Sequence, residues 1–241
     1  MTRGGRRAVL CAVAVLVLTG CGQPAAWSPY ARAEQVPEEL GADGTTIRVG
    51  DPDANTVVHL YEDPRCPVCR DFEVDGGGPV VSEAVLDKRV GVEYTFASFL
   101  DDRVGGSGSK KAVNALRAAL EEDKFLEYHE VLHARQPEEA VDGYTDERLL
   151  EPADEVEGLR GPSFDTAVTS MKYRSFVAAS EKAYERAGEE AEPKGPGTPT
   201  AFINAKRIPL DYSGILYDGG EFDRLLRDIA ADPHGWESIT F

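Results

Sequence analysis

The spacing of apolar and polar positions predicts most of the secondary structure before any chemistry is considered. Residues 46–49 and 56–61 carry the β-branched and aromatic enrichment of strands, and Asp51-Pro52-Asp53-Ala54-Asn55 between them reads as a turn. Residues 90–96 alternate well enough for a third strand; ahead of it lies a helical stretch that Gly76-Gly77-Gly78-Pro79 interrupts. From Lys110 to about Glu190 the pattern is helical. Val113, Leu116 and Leu120 share one face, as do Phe125, Tyr128, His129 and Leu132. Thr145 reads as an N-cap with Asp146 and Glu147 in the first turn, and Ser163 as another with Asp165 behind it. Beyond Glu190, residues 198–203 and 207–210 predict short strands, and Phe222, Leu225, Leu226, Ile229 and Ala230 a closing amphipathic helix. The resulting order is that of an α/β fold with a long helical block between its strands, and no internal repeat is present.

The N-terminus follows a different logic. Arg3, Arg6 and Arg7 precede an unbroken apolar run over residues 8–18, too short for a bilayer span but suited to the core of a signal peptide. Leu18-Thr19-Gly20-Cys21 then resembles the lipobox of bacterial lipoproteins. The resemblance implies cleavage after residue 20 and lipid acylation of the Cys21 sulfur. The chain is then expected at the cell membrane, lipid-anchored on the extracytoplasmic face. Residues 21–45, rich in Pro, Ala, Glu and Gly, read as a flexible tether. Residues 46–241 are left as the folded unit, with its helical insertion at about 108–190.

Composition narrows the function. Of 241 residues, 26 are Lys or Arg and 43 are Asp or Glu, a formal net charge of −17 that argues against a nucleic-acid partner. A hydrophobic fraction of 41% is enough for a sizeable core and excludes global disorder. Gly105-Gly106-Ser107-Gly108 lacks the Gly-Lys-Ser/Thr order of a phosphate loop. The acidic runs at 121–123 and 189–190 read as solvated helix ends, without the alternating oxygen ligands that calcium needs. Cys11 leaves with the leader and Cys21 is capped by lipid, so Cys66 and Cys69 remain as the thiols. Three residues apart in an oxidising compartment, they form a structural clip, half of a metal site or a redox pair. No second cysteine pair exists to complete a zinc site.

A strand running into Cys66-Pro67-Val68-Cys69 at the start of a helix has a physical use. A cysteine at a helix N-terminus meets unpaired N–H groups and the macrodipole, which favour its thiolate and lower its pKa from about 8.5 to between roughly 3.5 and 7.5. Pro67 at the first helical position removes no needed donor and pre-forms the turn. One turn on, Cys69 is close enough to resolve a mixed disulfide. Cys66 is therefore expected to be the attacking or attacked sulfur and Cys69 the resolving one.

Asp63, the Cys-Pro-Val-Cys itself and the later Gly197-Thr198-Pro199-Thr200-Ala201-Phe202-Ile203-Asn204 together resemble the DsbA-like thiol–disulfide oxidoreductases of bacterial envelopes. The resemblance covers about residues 46–232. It implies a thioredoxin fold, a central mixed β-sheet flanked by helices, with an α-helical domain inserted between the Cys-x-x-Cys half and the cis-proline half. It further implies that Pro199 is cis and packs against the redox pair, and that the backbone of Thr198 pairs with substrate. No cofactor is implied. The expected partners are unfolded or thiol-containing secreted and envelope proteins, together with a membrane redox partner. Two positions depart from the family. The buried carboxylate that many members carry six residues before the first cysteine is Leu60 here, so the proton of Cys69 needs Glu62, water or the substrate. Val68 stands where the family's namesake has histidine, which implies a weaker oxidant.

Two rival functions come from other classes. One is a lipoprotein that keeps the fold as a redox-inactive binding module. The other is a zinc protease, because His129-Glu130-Val131-Leu132-His133 matches the H-E-x-x-H helix. His129 lies on the Phe125–Tyr128–Leu132 stripe, so satisfied core or boundary histidines are expected and no metal ligand is assigned; Glu151, Glu155 and Glu157 are the available third ligands.

Overall fold

The computed structural model describes residues 29–238 together with Met1. The leader and Cys21 lie outside the described residues. Six strands form one mixed sheet: β1 (Glu38–Leu40), β2 (Ile47–Gly50), β3 (Val57–Glu62), β4 (Gly91–Phe96), β5 (Thr200–Ile203) and β6 (Lys206–Arg207), in the spatial order β1-β2-β4-β3-β5-β6. β3 sits in the middle, parallel to β4 and antiparallel to β5, with Leu60 opposite Tyr94 on one side and Ala201 on the other. Its Val58 and Leu60 are fully buried, which is why this segment reads as a strong strand.

A parallel pair needs a crossover, and here it consists of α1 (Pro67–Arg70), a π-turn over Asp71–Asp75 and α2 (Gly78–Leu86). The glycine break between them is a packing requirement: a Cβ on Gly77 would stand 2.6 Å from the Phe222 ring and 2.8 Å from Phe72. After β4 come α3 (Phe99–Val104), α4 (Gly108–Leu120), α5 (Phe125–Ala134), α6 (Asp146–Ala153), α7 (Pro162–Thr169) and α8 (Arg174–Arg186). α4 is the hub of this block. Ala112, Ala115, Ala118 and Ala119 are all buried, and these small side chains let α5, α7 and α8 pack closely around it. The Ser180 hydroxyl of α8 accepts the Phe96 amide at 2.8 Å and fixes the block to the sheet. The chain closes with α9 (Gly219–Ala231) and α10 (Pro233–Ser238). Among the described residues no helix is long and apolar enough to cross a membrane.

The architecture is the thioredoxin fold with a helical insertion, and four local expectations need correction. The tether expected over residues 21–45 ends earlier than its composition suggests. Val36 is buried, β1 pairs with β2, and the Glu38 carboxylate accepts the amides of Phe125 and Leu126 at 2.8 and 2.7 Å, capping α5. The helical block starts at Phe99, before the expected residue 108. Thr145 caps α6 as expected, accepting the Arg148 amide, but Ser163 lies inside α7 because Pro162 takes the first helical position after Gly161. β6 stops at Arg207: Pro209 donates no ladder hydrogen bond, and a 3-10 segment, Leu210–Tyr217, replaces the expected strand.

Candidate functional site

β3 ends at Glu62 at the C-terminal end of the central strand, and the chain passes through Asp63 and turns into Cys66 at the N-cap of α1, with Pro67 at the first helical position. Cys66 is 6% exposed and Cys69 fully buried, so solvent and a partner chain reach one sulfur only. Cys66 Sγ lies 3.4 Å from the carbonyl oxygen of Thr198, and the Thr198–Pro199 bond is cis. The two motifs, far apart in sequence, thus meet at one point. The Cys66 thiol is pulled down to about 7, because contacts from the Cys69 side chain first, then from Thr198 and the amides of Cys69 and Val68, outweigh its burial. Burial and the neighbouring Cys66 push the Cys69 thiol far above its ordinary value. One sulfur is a ready thiolate and the other a held thiol.

The loop carrying Cys66 is gripped from both sides. The buried Asp63 carboxylate accepts the Arg65 amide at 3.0 Å, the Leu100 amide at 3.1 Å and the Ser109 hydroxyl at 2.6 Å. Burial still dominates and raises that carboxyl to about 6. Arg65, 2% exposed, donates to Asp101 and to the carbonyls of Gly105 and Glu139, each at 2.9 Å. From the inserted block, the Gln136 side-chain amide donates to the carbonyls of Pro64 and Cys66 at 2.8 and 2.9 Å, and the Tyr144 hydroxyl to that of Pro64 at 3.1 Å. The insertion therefore clamps the redox turn as well as covering the sheet.

Beneath the turn lies a buried polar cluster. His129 Nε2 is 2.9 Å from Glu62 Oε2, His133 Nε2 is 3.9 Å from the same oxygen, and Glu73 Oε2 is 3.8 Å from His129 Nδ1. Burial raises the Glu62 carboxyl to about 7 and lowers both imidazoles below their ordinary value. Both histidines of the H-E-x-x-H helix are buried; His129 is satisfied by Glu62 as expected, whereas His133 finds no hydrogen-bond partner among the described residues. Glu130 is exposed, and Glu151, Glu155 and Glu157 are exposed as well; the carboxylate that meets the histidines is Glu62.

The family model described as Thioredoxin matches residues 42–216. The chain belongs to the thioredoxin family. Among solved structures, oxidised BdbD from Bacillus subtilis is similar with a TM-score of 0.63 at 20% identity, over 81% of this chain and 98% of that one. MdbA, a thiol-disulfide oxidoreductase from Corynebacterium matruchotii, is similar at TM-score 0.60 and 18% identity, over 74% and 88%. Reduced DsbA from Mycobacterium tuberculosis follows at 0.56 and 24%, over 76% and 98%. No curated protein matches the chain. At these identities the likeness is one of fold, and it is the fold of DsbA-like thioredoxin-family members that this chain adopts.

Cys66, Cys69, Thr198 and Pro199 were all legible as candidate site residues, and the fold brings the four together; Cys21 lies outside the described residues. Arg65, Gln136, Tyr144 and Asp101 were not singled out. Arg65 carried a signal, since an arginine directly before a reactive cysteine invites a search for its carboxylate, but Gln136 follows α5 in a loop with no pattern at all.

Proposed function

We propose that this protein is an extracytoplasmic thiol–disulfide oxidoreductase that exchanges disulfides with secreted or envelope proteins through Cys66 and Cys69. The observation that carries the reading is the asymmetry of the two sulfurs. One is a thiolate near neutrality at a helix N-terminus, beside the Thr198 backbone; the other is a buried thiol one turn behind it. In the oxidised protein, a substrate thiolate attacks Cys66 Sγ, and the Cys66–Cys69 bond breaks as the mixed disulfide forms. Cys69 leaves and takes up a proton. A second substrate thiolate then attacks the substrate sulfur of the mixed disulfide and expels Cys66 as its stabilised thiolate. The substrate loses two electrons and two protons; the cysteine pair gains the two electrons, Cys69 one proton, and the other proton passes to solvent. Run backwards, the same steps reduce a substrate disulfide.

Val68, 43% exposed, and Leu210, Tyr212 and Tyr217 of the 3-10 segment, 40–71% exposed, offer apolar surface suited to an unfolded chain. The test is direct: oxidised full-chain protein mixed with a two-cysteine peptide should convert it to its disulfide in near-stoichiometric yield. A peptide left reduced while Cys66 and Cys69 stay oxidised would favour the redox-inactive binding module instead.

The placement at the membrane rests on the sequence around Cys21. With Cys21 acylated, Cys21→Ser should move the protein from the membrane fraction to the soluble one, or leave it as uncleaved precursor. Cleaved Cys21→Ser protein that still sediments with membranes at the native level would refute the anchor.

A further inference from the structure

The strongest feature outside the redox pair is the cluster beneath it. His129 and His133 stand one helical turn apart on α5, with ring centroids 4.7 Å apart, and both face the Glu62 carboxylate of β3. One ligand atom from each of the three residues can be chosen so that all lie within 4.8 Å of one another, and all three side chains are buried. A hydrogen-bonded His129–Glu62 pair accounts for only part of this. Both ring nitrogens of His133 are buried without a hydrogen-bond partner among the described residues, whereas the Glu62 and Glu73 carboxyls lie within hydrogen-bonding reach of each other. A neutral imidazole carries one N–H and one lone pair, and buried groups of this kind are normally paired. A buried imidazole with an unpaired lone pair, beside a second imidazole and a carboxylate, is what a cation satisfies.

The geometry points to a closed site for one divalent transition-metal ion, zinc by its donor set, held by Glu62, His129 and His133. Two imidazoles and a carboxylate are an established donor set for this ion class, and ligand atoms about 2.0–2.2 Å from it stand roughly 3.3–3.6 Å from each other. The two separations to Glu62 Oε2, 2.9 and 3.9 Å, lie on either side of that range, and all three ligand atoms are within 4.8 Å of one another, so closing the site requires the side chains to draw together around the ion. Glu73, beside the other ring nitrogen of His129, occupies the place from which a carboxylate orients a ligating imidazole. The site is structural: it joins the strand that leads into Cys66 to the inserted helical block, and it does not hydrolyse peptides. Glu130, the general base that an H-E-x-x-H protease needs, is exposed to solvent while the three ligands are buried, so it shares no cavity with them.

The inference is independent of the redox function, and the test is made so. Full-chain protein in detergent, with Cys66 and Cys69 both replaced by Ser, is stripped with a chelator, dialysed against zinc and analysed for bound metal. The expected result is about one ion per chain together with a zinc-dependent rise in Tm. In that same background His133→Phe and, as the near-isosteric second variant, Glu62→Gln should each keep the native far-UV circular dichroism and lose at least about 90% of the bound zinc and the rise in Tm. Less than about a tenth of an ion in the protein lacking Cys66 and Cys69, or undiminished zinc in either folded variant, would overturn the site.

Discussion

Replacing Cys66 with Ala should reduce exchange with a two-cysteine peptide to the background rate of the buffer. Replacing Cys69 with Ser should give a different defect. In that variant Cys66 loses the contact of the Cys69 thiol but keeps those of Thr198 and of the amides at positions 68 and 69, which also favour its thiolate, so attack on a substrate disulfide proceeds. Without Cys69 the mixed disulfide has no internal thiol to resolve it, and the Cys66–substrate adduct should accumulate, visible by mass as one covalent partner per chain. The two variants separate catalysis from mere retention of the fold. A redox-inactive binding module would show neither the lost turnover nor the trapped adduct.

The second large effect concerns stability. Arg65 and Asp101 form an ion pair at 2.9 Å, with side chains 2% and 0% exposed. Arg65→Met removes the guanidinium and leaves the buried Asp101 charge facing only the amides of Ser109 and Lys110, while the carbonyls of Gly105 and Glu139 lose their donor. Breaking one side of a buried pair typically costs about 3–5 kcal/mol, and urea unfolding should show a loss of that order. Arg65→Met combined with Asp101→Asn should recover part of it, because the uncompensated charge is then gone. A loss below about 1 kcal/mol for the single variant would mean that Arg65 does not hold the redox turn. Because the insertion grips that turn through Arg65, Gln136 and Tyr144, the variant should also blur the difference in reactivity between the two cysteines.

Much of this was readable along the chain, for identifiable reasons. β3, β4 and the faces of α4 and α5 announce themselves because their burial follows the strand and helix periods. The redox turn was legible because Cys-Pro-Val-Cys states its own geometry, and Thr198-Pro199 because the resemblance supplied its partner. β1 was not legible. Its Pro- and Glu-rich composition resembles a tether, and what orders it is a capping contact from Glu38 to α5, 87 residues away in sequence. The same holds for the clamp: Gln136 reaches the carbonyls of Pro64 and Cys66 from a loop, and no local pattern encodes a contact made by tertiary packing. The His129–Glu62 contact falls between these cases. The histidines were correctly placed on the core face, but their carboxylate was sought downstream in sequence, whereas the sheet supplies it from upstream.

The central claim is that the fold makes one sulfur a nucleophile and withholds the other. Alkylation of the reduced protein with iodoacetamide, followed residue by residue by mass spectrometry between pH 5 and pH 10, tests it most directly. Cys66 should react with a midpoint at about 7, which at neutral pH makes it roughly fifty times more ionised than a thiol left at its ordinary value of 9.0, while Cys69 stays unmodified across the range. A Cys66 midpoint at or above 9, or equal labelling of the two cysteines, would contradict the account.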